Sequence, residues 1–399
     1  MPIKKISAQS LCVKEYHDGK TTQPHVLPIY ATSSFAFEDI EDSIQIFKGE
    51  NQGHVYSRYG NPTIDTTAQK IADLEALGTG LNAYGFMTSS GMSAISSLVM
   101  SLLSKDQSIL TQGDLYGGTT ELFSKVLSQS GINTHRIDLA DLDEVEKYLL
   151  QDRSIKLLYI ETPANPTMKC LDIHALSKLA KKYGAFTCVD NTFCTPLLQQ
   201  PLKFGIDFVI HSTTKYLNGH GNSIAGAIIG HDLEFKKKLG MTIKLLGTTC
   251  NSWDAWLTYN GMKTLALRME RHSQNAQKVA EYLEKQPKVK KVNYNGLSSN
   301  PFHDLAEKQM TGFGGMLSFE LEADLQGTLK FINNLKFCTQ APTLGDVDTL
   351  VLHPATSSHL NIDKKIREQN GISDSLVRLS VGIEDVEDII ADLDQALNK

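Results

Sequence analysis

From residue 63 onward, short apolar runs alternate with longer stretches whose apolar positions recur at helical spacing. TIDTTAQKIADLEAL carries its apolar residues on one helical face, as does ALSKLAKKYG. Between and around such stretches lie QSILT at 107, KLLYIE at 156, AFTCVD at 185 and DFVIH at 207, too short for helices and apolar almost throughout. Strands of that kind are buried on both faces, so the pattern predicts a mostly parallel sheet between layers of helices. The pattern changes after residue 260, within several residues. A long helix is predicted over 264–285, followed by alternating strands in GGMLSFELE and LVRLSVGIE and a last helix through EDIIADLDQALNK. That part reads as a smaller α+β domain.

The expected organisation is therefore an arm over 1–62, a larger α/β domain over 63–260 and a C-terminal domain over 261–399. The arm is rich in Thr, Ser, Pro and Gly, shows little periodicity and is expected to be extended. A chain of 399 residues can bury a large core, and its 41% hydrophobic and 21% charged residues are ordinary for a soluble protein. The net charge of −6 offers no basic footprint for nucleic acid or an anionic membrane, so a small molecule is the expected partner. Six cysteines are scattered without a CxxC pair, which suggests neither a disulfide framework nor a zinc site and agrees with a reducing cytoplasm. The first residues lack the apolar core of a signal peptide, and no apolar run is long enough to span a bilayer.

Several nucleotide and hydrolase motifs fail on single residues. GHGNSIAG has Ile224 where a dinucleotide fingerprint needs glycine, and GKTT is preceded by Lys14 where a P-loop needs one. Neither HExxH nor GxSxG occurs. The strand ends carry more. In an open α/β sheet ligands collect beyond the carboxyl ends of the strands. There the sequence offers Glu161 and Asn165 after KLLYI, Asp190 after AFTCV, and Ser212, Thr214 and Lys215 after DFVI.

Taken singly, each of these has a plain structural reading: a solvated turn lysine, a capping aspartate, a salt-bridged Arg378. Together they are the set that pyridoxal phosphate requires. An amine forms a Schiff base with the aldehyde, and a carboxylate keeps the ring nitrogen protonated. The phosphate asks for a helix N-terminus and hydroxyls. SSGMSAISSLV supplies the helix start, at Ser90, Gly91 and Met92, and Ser212 and Thr214 supply hydroxyls.

YSRYGNPT, SSGM, DLYGGT, ETPANP, VDNTF, HSTTKYLNGHG and VRLSVGIED, in that order, resemble the Cys/Met-metabolism pyridoxal phosphate enzymes over essentially the whole chain. The resemblance implies a type I fold of pyridoxal phosphate enzyme and a homotetramer built as a pair of dimers, with Tyr56 and Arg58 reaching the cofactor phosphate of a neighbouring subunit. It implies that Gly91 and Met92 donate backbone N–H groups to the phosphate, that Tyr116 stacks on the ring and protonates the leaving sulfur, and that Asp190 pairs with the ring nitrogen. Asn165 would bond the ring hydroxyl, Arg378 the substrate carboxylate, Thr343 would line the substrate pocket, and Lys215 would hold the aldehyde and act as base.

The implied reaction is γ-elimination on a sulfur amino acid, with L-methionine, giving methanethiol, 2-oxobutanoate and ammonia, as first expectation. γ-Replacement on a homoserine ester and cleavage of cystathionine are the alternatives, and a noncatalytic protein retaining the fold is a remote one. Three positions leave the substrate open. Gly118 follows Gly117 where methionine-cleaving members usually have cysteine, Lys244 stands in place of an aspartate, and Thr343 stands where many members have serine. LGD at 344–346, conversely, matches the methionine-cleaving and sulfhydrylase branches.

Overall fold

The apolar runs become strands of one sheet, and their ends fall level. A computed structural model describes residues 6–15 and 22–399. The larger sheet has seven strands: β1 (Tyr84–Thr88), β2 (Ser108–Thr111), β3 (Asn133–Arg136), β4 (Ile155–Glu161), β5 (Phe186–Asp190), β6 (Phe208–Ser212) and β7 (Gly226–Gly230). Their spatial order is β1-β7-β6-β5-β4-β2-β3. From β6 to β3 every neighbouring pair is parallel, while β7 runs against both β6 and β1.

Side chains alternate faces along a strand, and both faces here are covered. Leu157 and Tyr159 pack with Ile95, Leu98 and Val99 of helix α4, whereas Leu158 and Ile160 pack with Ile64, Ala68 and Ile71 of helix α3. The helices involved, in chain order, are α1 (Ala8–Val13), α2 (Ile40–Lys48), α3 (Pro62–Glu75), α4 (Gly91–Leu102) and α5 (Gly117–Glu121). Proline at the first position and the Asn61 side chain, which accepts from Thr63 N, start α3.

A second sheet of five strands is formed by β8 (Val289–Asn293), β9 (Met316–Leu321), β10 (Thr339–Gln340), β11 (Leu350–Leu352) and β12 (Leu376–Ser380), ordered β10-β11-β12-β9-β8 and antiparallel except for the β10–β11 pair. The 20-residue helix Leu265–Glu284 serves both cores. Its Leu265 and Met269 pack in the core on the α3 face of the large sheet, and its Ala276, Val279, Ala280 and Leu283 pack under the small one.

The first 62 residues differ from the expected extended arm. α1 and α2 are helical, with Ser7 and Asp39 accepting from backbone N–H groups at their starts, and Leu11 and Cys12 are buried in the large core. Two short polar-flanked helices carry too few turns to register as periodicity. Residues 1–5 and 16–21 of that segment lie outside the described residues.

A wholly buried ion pair joins α3 to the sheet. Glu75 Oε1 lies 2.7 Å from His211 Nε2 and accepts from Asn191 Nδ2 at 2.8 Å, and both Glu75 and His211 have no exposed side-chain surface. Removing one partner of such a pair leaves the other unpaired away from water. Glu75→Ala is accordingly expected to lower the unfolding free energy by about 3–5 kcal/mol, measured by urea denaturation at neutral pH.

Candidate active site

The parallel register sets the stage: Glu161 pairs with Asp190, and Asp190 with Ile210, so β4, β5 and β6 end side by side. Beyond those ends the polar residues expected from the sequence gather. Lys215 lies in the turn after β6, with its Nζ donating to Thr343 Oγ1 at 2.9 Å. Arg378, on β12 of the small sheet, is 4% exposed and donates to the Thr343 carbonyl at 2.8 Å and to Asn165 Oδ1 at 3.3 Å. Its buried Nε has no partner among the described residues. Both sheets thus contribute to one crevice, with Thr343 touching both cations.

Desolvation acts strongly on these groups. Burial, with Arg378 nearby, lowers the Lys215 ammonium to about 8, and burial lowers Arg378 to about 10, which still leaves it cationic at neutral pH. On the acidic side, burial raises Asp190, opposed by two hydrogen bonds from Thr192 and by the His211 charge. Burial and the neighbouring Asp190 push Glu161 well up, opposed by two backbone N–H groups.

Glu161 works differently from the expected cofactor contact. Its Oε2 accepts from Tyr116 N and its Oε1 from Asn165 N, both at 2.9 Å, so its side chain pins the two loops that carry Tyr116 and Asn165. Ser90 is likewise committed. Its Oγ accepts from Ser93 N at 3.0 Å, and Ser93 Oγ accepts from Ser90 N at 2.8 Å, closing a capping box at the start of α4. A helix start leaves four N–H groups without intrahelical partners. The box satisfies Ser90 and Ser93, and Gly91 and Met92 remain.

The start of α4 sits very close to the sheet. A Cβ on Gly91 would lie 2.8 Å from Ser212 Cβ, and one on Gly226 would lie 2.2 Å from the Ser90 carbonyl oxygen. Only glycine at both positions lets two free N–H groups stand beside the Ser212 hydroxyl. Thr214 is less available: its hydroxyl accepts from Ala225 N at 3.1 Å and donates to Ala225 O at 3.2 Å. Tyr116 caps α5 and is 43% exposed, with its ring against Gly118, where a Cβ would meet Tyr116 Cε1 at 2.6 Å and Met92 Sδ at 3.3 Å.

Tyr56 and Arg58 stand apart from this crevice. Tyr56 is 42% exposed; Arg58 lies over the Tyr59 ring at 5.1 Å and donates to the Lys244 carbonyl, and its own carbonyl accepts from Thr249 Oγ1 at 2.9 Å. Lys244 places its Nζ 3.8 Å from the Tyr59 ring centroid.

The arrangement fits pyridoxal phosphate on its own chemistry. Two free helix-start N–H groups and an adjacent hydroxyl suit a dianion, a buried carboxylate suits a protonated ring nitrogen, and a lysine lowered to about 8 suits an aldehyde. The model of the Cys/Met metabolism PLP-dependent enzyme family matches residues 9–398. The chain belongs to this family. It is 44% identical to L-methionine gamma-lyase of Fusobacterium nucleatum subsp. polymorphum over 380 residues, covering 94% of this chain and 93% of the relative. It is 43% identical to cystathionine beta-lyase of Lactococcus lactis subsp. cremoris over 394 residues, covering 98% and 99%.

Among solved structures of similar chains, cystathionine gamma synthase from Xanthomonas oryzae pv. oryzae superposes with a TM-score of 0.90 at 36% identity, covering 98% of each chain. A putative O-acetylhomoserine (thiol)-lyase from Campylobacter jejuni, holding a pyridoxyl-lysine phosphate, superposes at 0.93 with 32% identity, covering 99% and 100%. As a member of this family of pyridoxal phosphate enzymes, the protein is an enzyme of the type I fold acting on sulfur amino-acid chemistry. No helix among the described residues is long and apolar enough to cross a membrane. Among the same residues no cluster of three or more His, Cys, Asp or Glu could hold a metal ion.

Three supporting residues escaped the reading of the sequence. Arg268, 4% exposed on the shared helix, donates to the Tyr216 carbonyl at 2.7 Å and to the Gly261 carbonyl at 2.8 Å, and so grips the turn that carries Lys215. His211 and Thr192 stand inside motifs that were recognised, next to residues given roles. His211 pairs with Glu75 on a distant helix, and Thr192 sits two residues from its partner Asp190, so adjacency in HSTTK and VDNT was the available signal.

Two outcomes follow from the geometry. Gly226→Ala is expected to weaken cofactor binding to the apoenzyme by at least about tenfold, by displacing the start of α4, as measured by fluorescence titration with pyridoxal phosphate. Because the unprotonated amine is the nucleophile, the rate of cofactor uptake should rise with pH through about 8. Arg378→Leu, which removes a neighbouring positive charge, should move that midpoint upward in stopped-flow absorbance.

Proposed function

We propose that the protein catalyses γ-elimination on a thioether amino acid, with L-methionine as the first substrate, giving methanethiol, 2-oxobutanoate and ammonia. The observation that carries this reading is the bridge at Thr343, whose carbonyl accepts from Arg378 and whose hydroxyl accepts from Lys215. A substrate carboxylate bound by Arg378 then has its Cα beside the lysine amine. Pyridoxal phosphate, when bound, supplies the electron sink that lets protons leave carbon.

In this reading Gly91, Met92, Ser212 and Thr214 hold the phosphate, with Tyr56 and Arg58 of a neighbouring copy in a homotetramer. Asp190 holds the proton on the ring nitrogen and Asn165 bonds the ring hydroxyl. Arg378 takes the carboxylate bidentately with its free Nε and one terminal nitrogen. Lys215 would hold the cofactor aldehyde and, once its amine is free, would take a proton from Cα, give that proton up to the cofactor and only then take one from Cβ. Among the described residues the phenol of Tyr116 makes no hydrogen bond, which leaves it free to turn and protonate the departing sulfur. Ser90 and Glu161 support this set through backbone contacts. The segments 1–62, 63–260 and 261–399 would then be the arm reaching a neighbouring subunit, the cofactor-binding domain and the C-terminal domain that supplies Arg378.

Cystathionine cleavage is the second reading, favoured by the near-equal similarity to a cystathionine beta-lyase. γ-Replacement on a homoserine ester is the third, favoured by a relative, an O-succinylhomoserine sulfhydrylase from Pseudomonas aeruginosa, 40% identical over 94% of this chain.

The deciding experiment incubates the holoenzyme with methionine, with cystathionine, and with O-acetylhomoserine with and without sulfide. Methanethiol and 2-oxobutanoate from methionine are expected. Rapid sulfhydrylation of the ester with methionine inert would overturn the proposal, as would pyruvate from cystathionine as the main product. Tyr116→Phe is expected to lower kcat on methionine by about a hundredfold while leaving the visible absorption of the lysine-linked cofactor in place.

A further inference from the structure

Asp190 has two carboxylate oxygens in different surroundings. Oδ1 accepts from Thr192 Oγ1 at 2.6 Å and from Thr192 N at 3.1 Å. Oδ2 has one protein partner among the described residues, Tyr159 Oη at 3.4 Å, at the outer limit of a hydrogen bond. The direction of the short contact is fixed by a third one: Ser212 N donates to Thr192 Oγ1 at 2.9 Å. A hydroxyl can accept and donate at once, and an ionised carboxylate can only accept, so Thr192 Oγ1 accepts from Ser212 N while its proton goes to Asp190.

From this we infer that Thr192 is a positioning residue for the reaction, fixing Oδ1 of Asp190 so that Oδ2 alone faces the ring nitrogen of the cofactor. The inference rests on the Asp190 role proposed above. A carboxylate accepting two hydrogen bonds on one oxygen is held in its ionised form and in one rotamer, whereas a free one can turn or take up a proton. Burial of Asp190 makes that support necessary, since it disfavours the anion that the ring nitrogen needs.

The same hydroxyl ties β5 to β6 at the residue that borders the phosphate cradle. A Cβ on Gly91 would lie 2.8 Å from Ser212 Cβ, so the two backbones are close and the Ser212–Thr192–Asp190 chain runs from the phosphate end of the site to the ring-nitrogen end. Thr192 therefore sets the spacing between two anchors of one rigid ligand. Behind it, the adjacent Asn191 is fixed by the buried Glu75, which holds the backbone from which Thr192 projects.

The test compares Thr192→Val, Thr192→Ser and Asp190→Ala with the natural protein. Two readouts are used: the 15N chemical shift of the ring nitrogen in holoenzyme rebuilt with labelled pyridoxal phosphate, and the dissociation constant of cofactor from the apoenzyme. Thr192→Val should move the ring nitrogen signal toward the unprotonated range and weaken cofactor binding by about tenfold, the usual effect of one charge-assisted hydrogen bond. Thr192→Ser, which keeps the hydroxyl, should behave as the natural protein and also shows that position 192 accepts change without loss of fold.

If Thr192→Val leaves the ring signal unchanged while Asp190→Ala moves it, the Thr192 role is wrong and the Asp190 role stands. If neither moves it, both are wrong. Weaker cofactor binding in Thr192→Val with an unchanged ring signal would mark Thr192 as a structural residue only and would equally overturn the inference.

Discussion

The site depends on three parallel strands ending level. Strands buried on both faces admit few polar side chains, and those only with partners, as His211 has in Glu75, so chemistry is pushed to where the chain leaves the sheet. Because β4, β5 and β6 are adjacent and in register, Glu161, Asp190 and Ser212 emerge together. Glu161 then joins the loops after β2 and β4, and Thr192 joins β5 to β6. The crevice is thus cross-braced by side chain to backbone hydrogen bonds rather than by packing alone.

Its electrostatics are conflicted until a ligand arrives. Lys215 and Arg378 share Thr343, and burial lowers both, with Arg378 lowering Lys215 further; burial raises Glu161 and Asp190, with Asp190 raising Glu161 further. Among the described residues none of these four groups makes an ion pair, and only Asp346 acts as an opposite charge on Lys215. A molecule carrying an aldehyde, a phosphate and a protonated ring nitrogen, followed by a substrate carboxylate, relieves these conflicts one by one. Perturbed groups gathered in a crevice of this sort mark function more often than structure.

The sequence disclosed the elements whose burial is continuous. β2, β4, β5 and β6 were visible as apolar runs, and the long helix as periodicity. β1 and β7 were not, because YGFMT and GAIIG are short and carry glycine within or at their ends. The arm concealed two helices for want of length. Within the crevice, candidates chosen by side-chain type and chain order, such as Lys215, Asp190 and Arg378, could be read from the sequence. Those that act on backbone atoms could not: Arg268 reaches carbonyls of residues 52 and 7 positions away, and nothing local announces it. The same limit explains Ser90 and Glu161, read as cofactor contacts although their oxygens are taken up by backbone N–H groups of their own surroundings.

The helix Leu265–Glu284 carries a further implication. Its first turns are anchored in the large core, its last turns roof the small sheet, and between them Arg268 holds the carbonyl next to Lys215. One rod thus couples the turn that carries Lys215 to the half of the molecule that supplies Arg378. On the cofactor role proposed for Lys215, loosening of the small sheet would reach that residue along the rod, and the colour of the holoenzyme would serve as an optical gauge of a distant region.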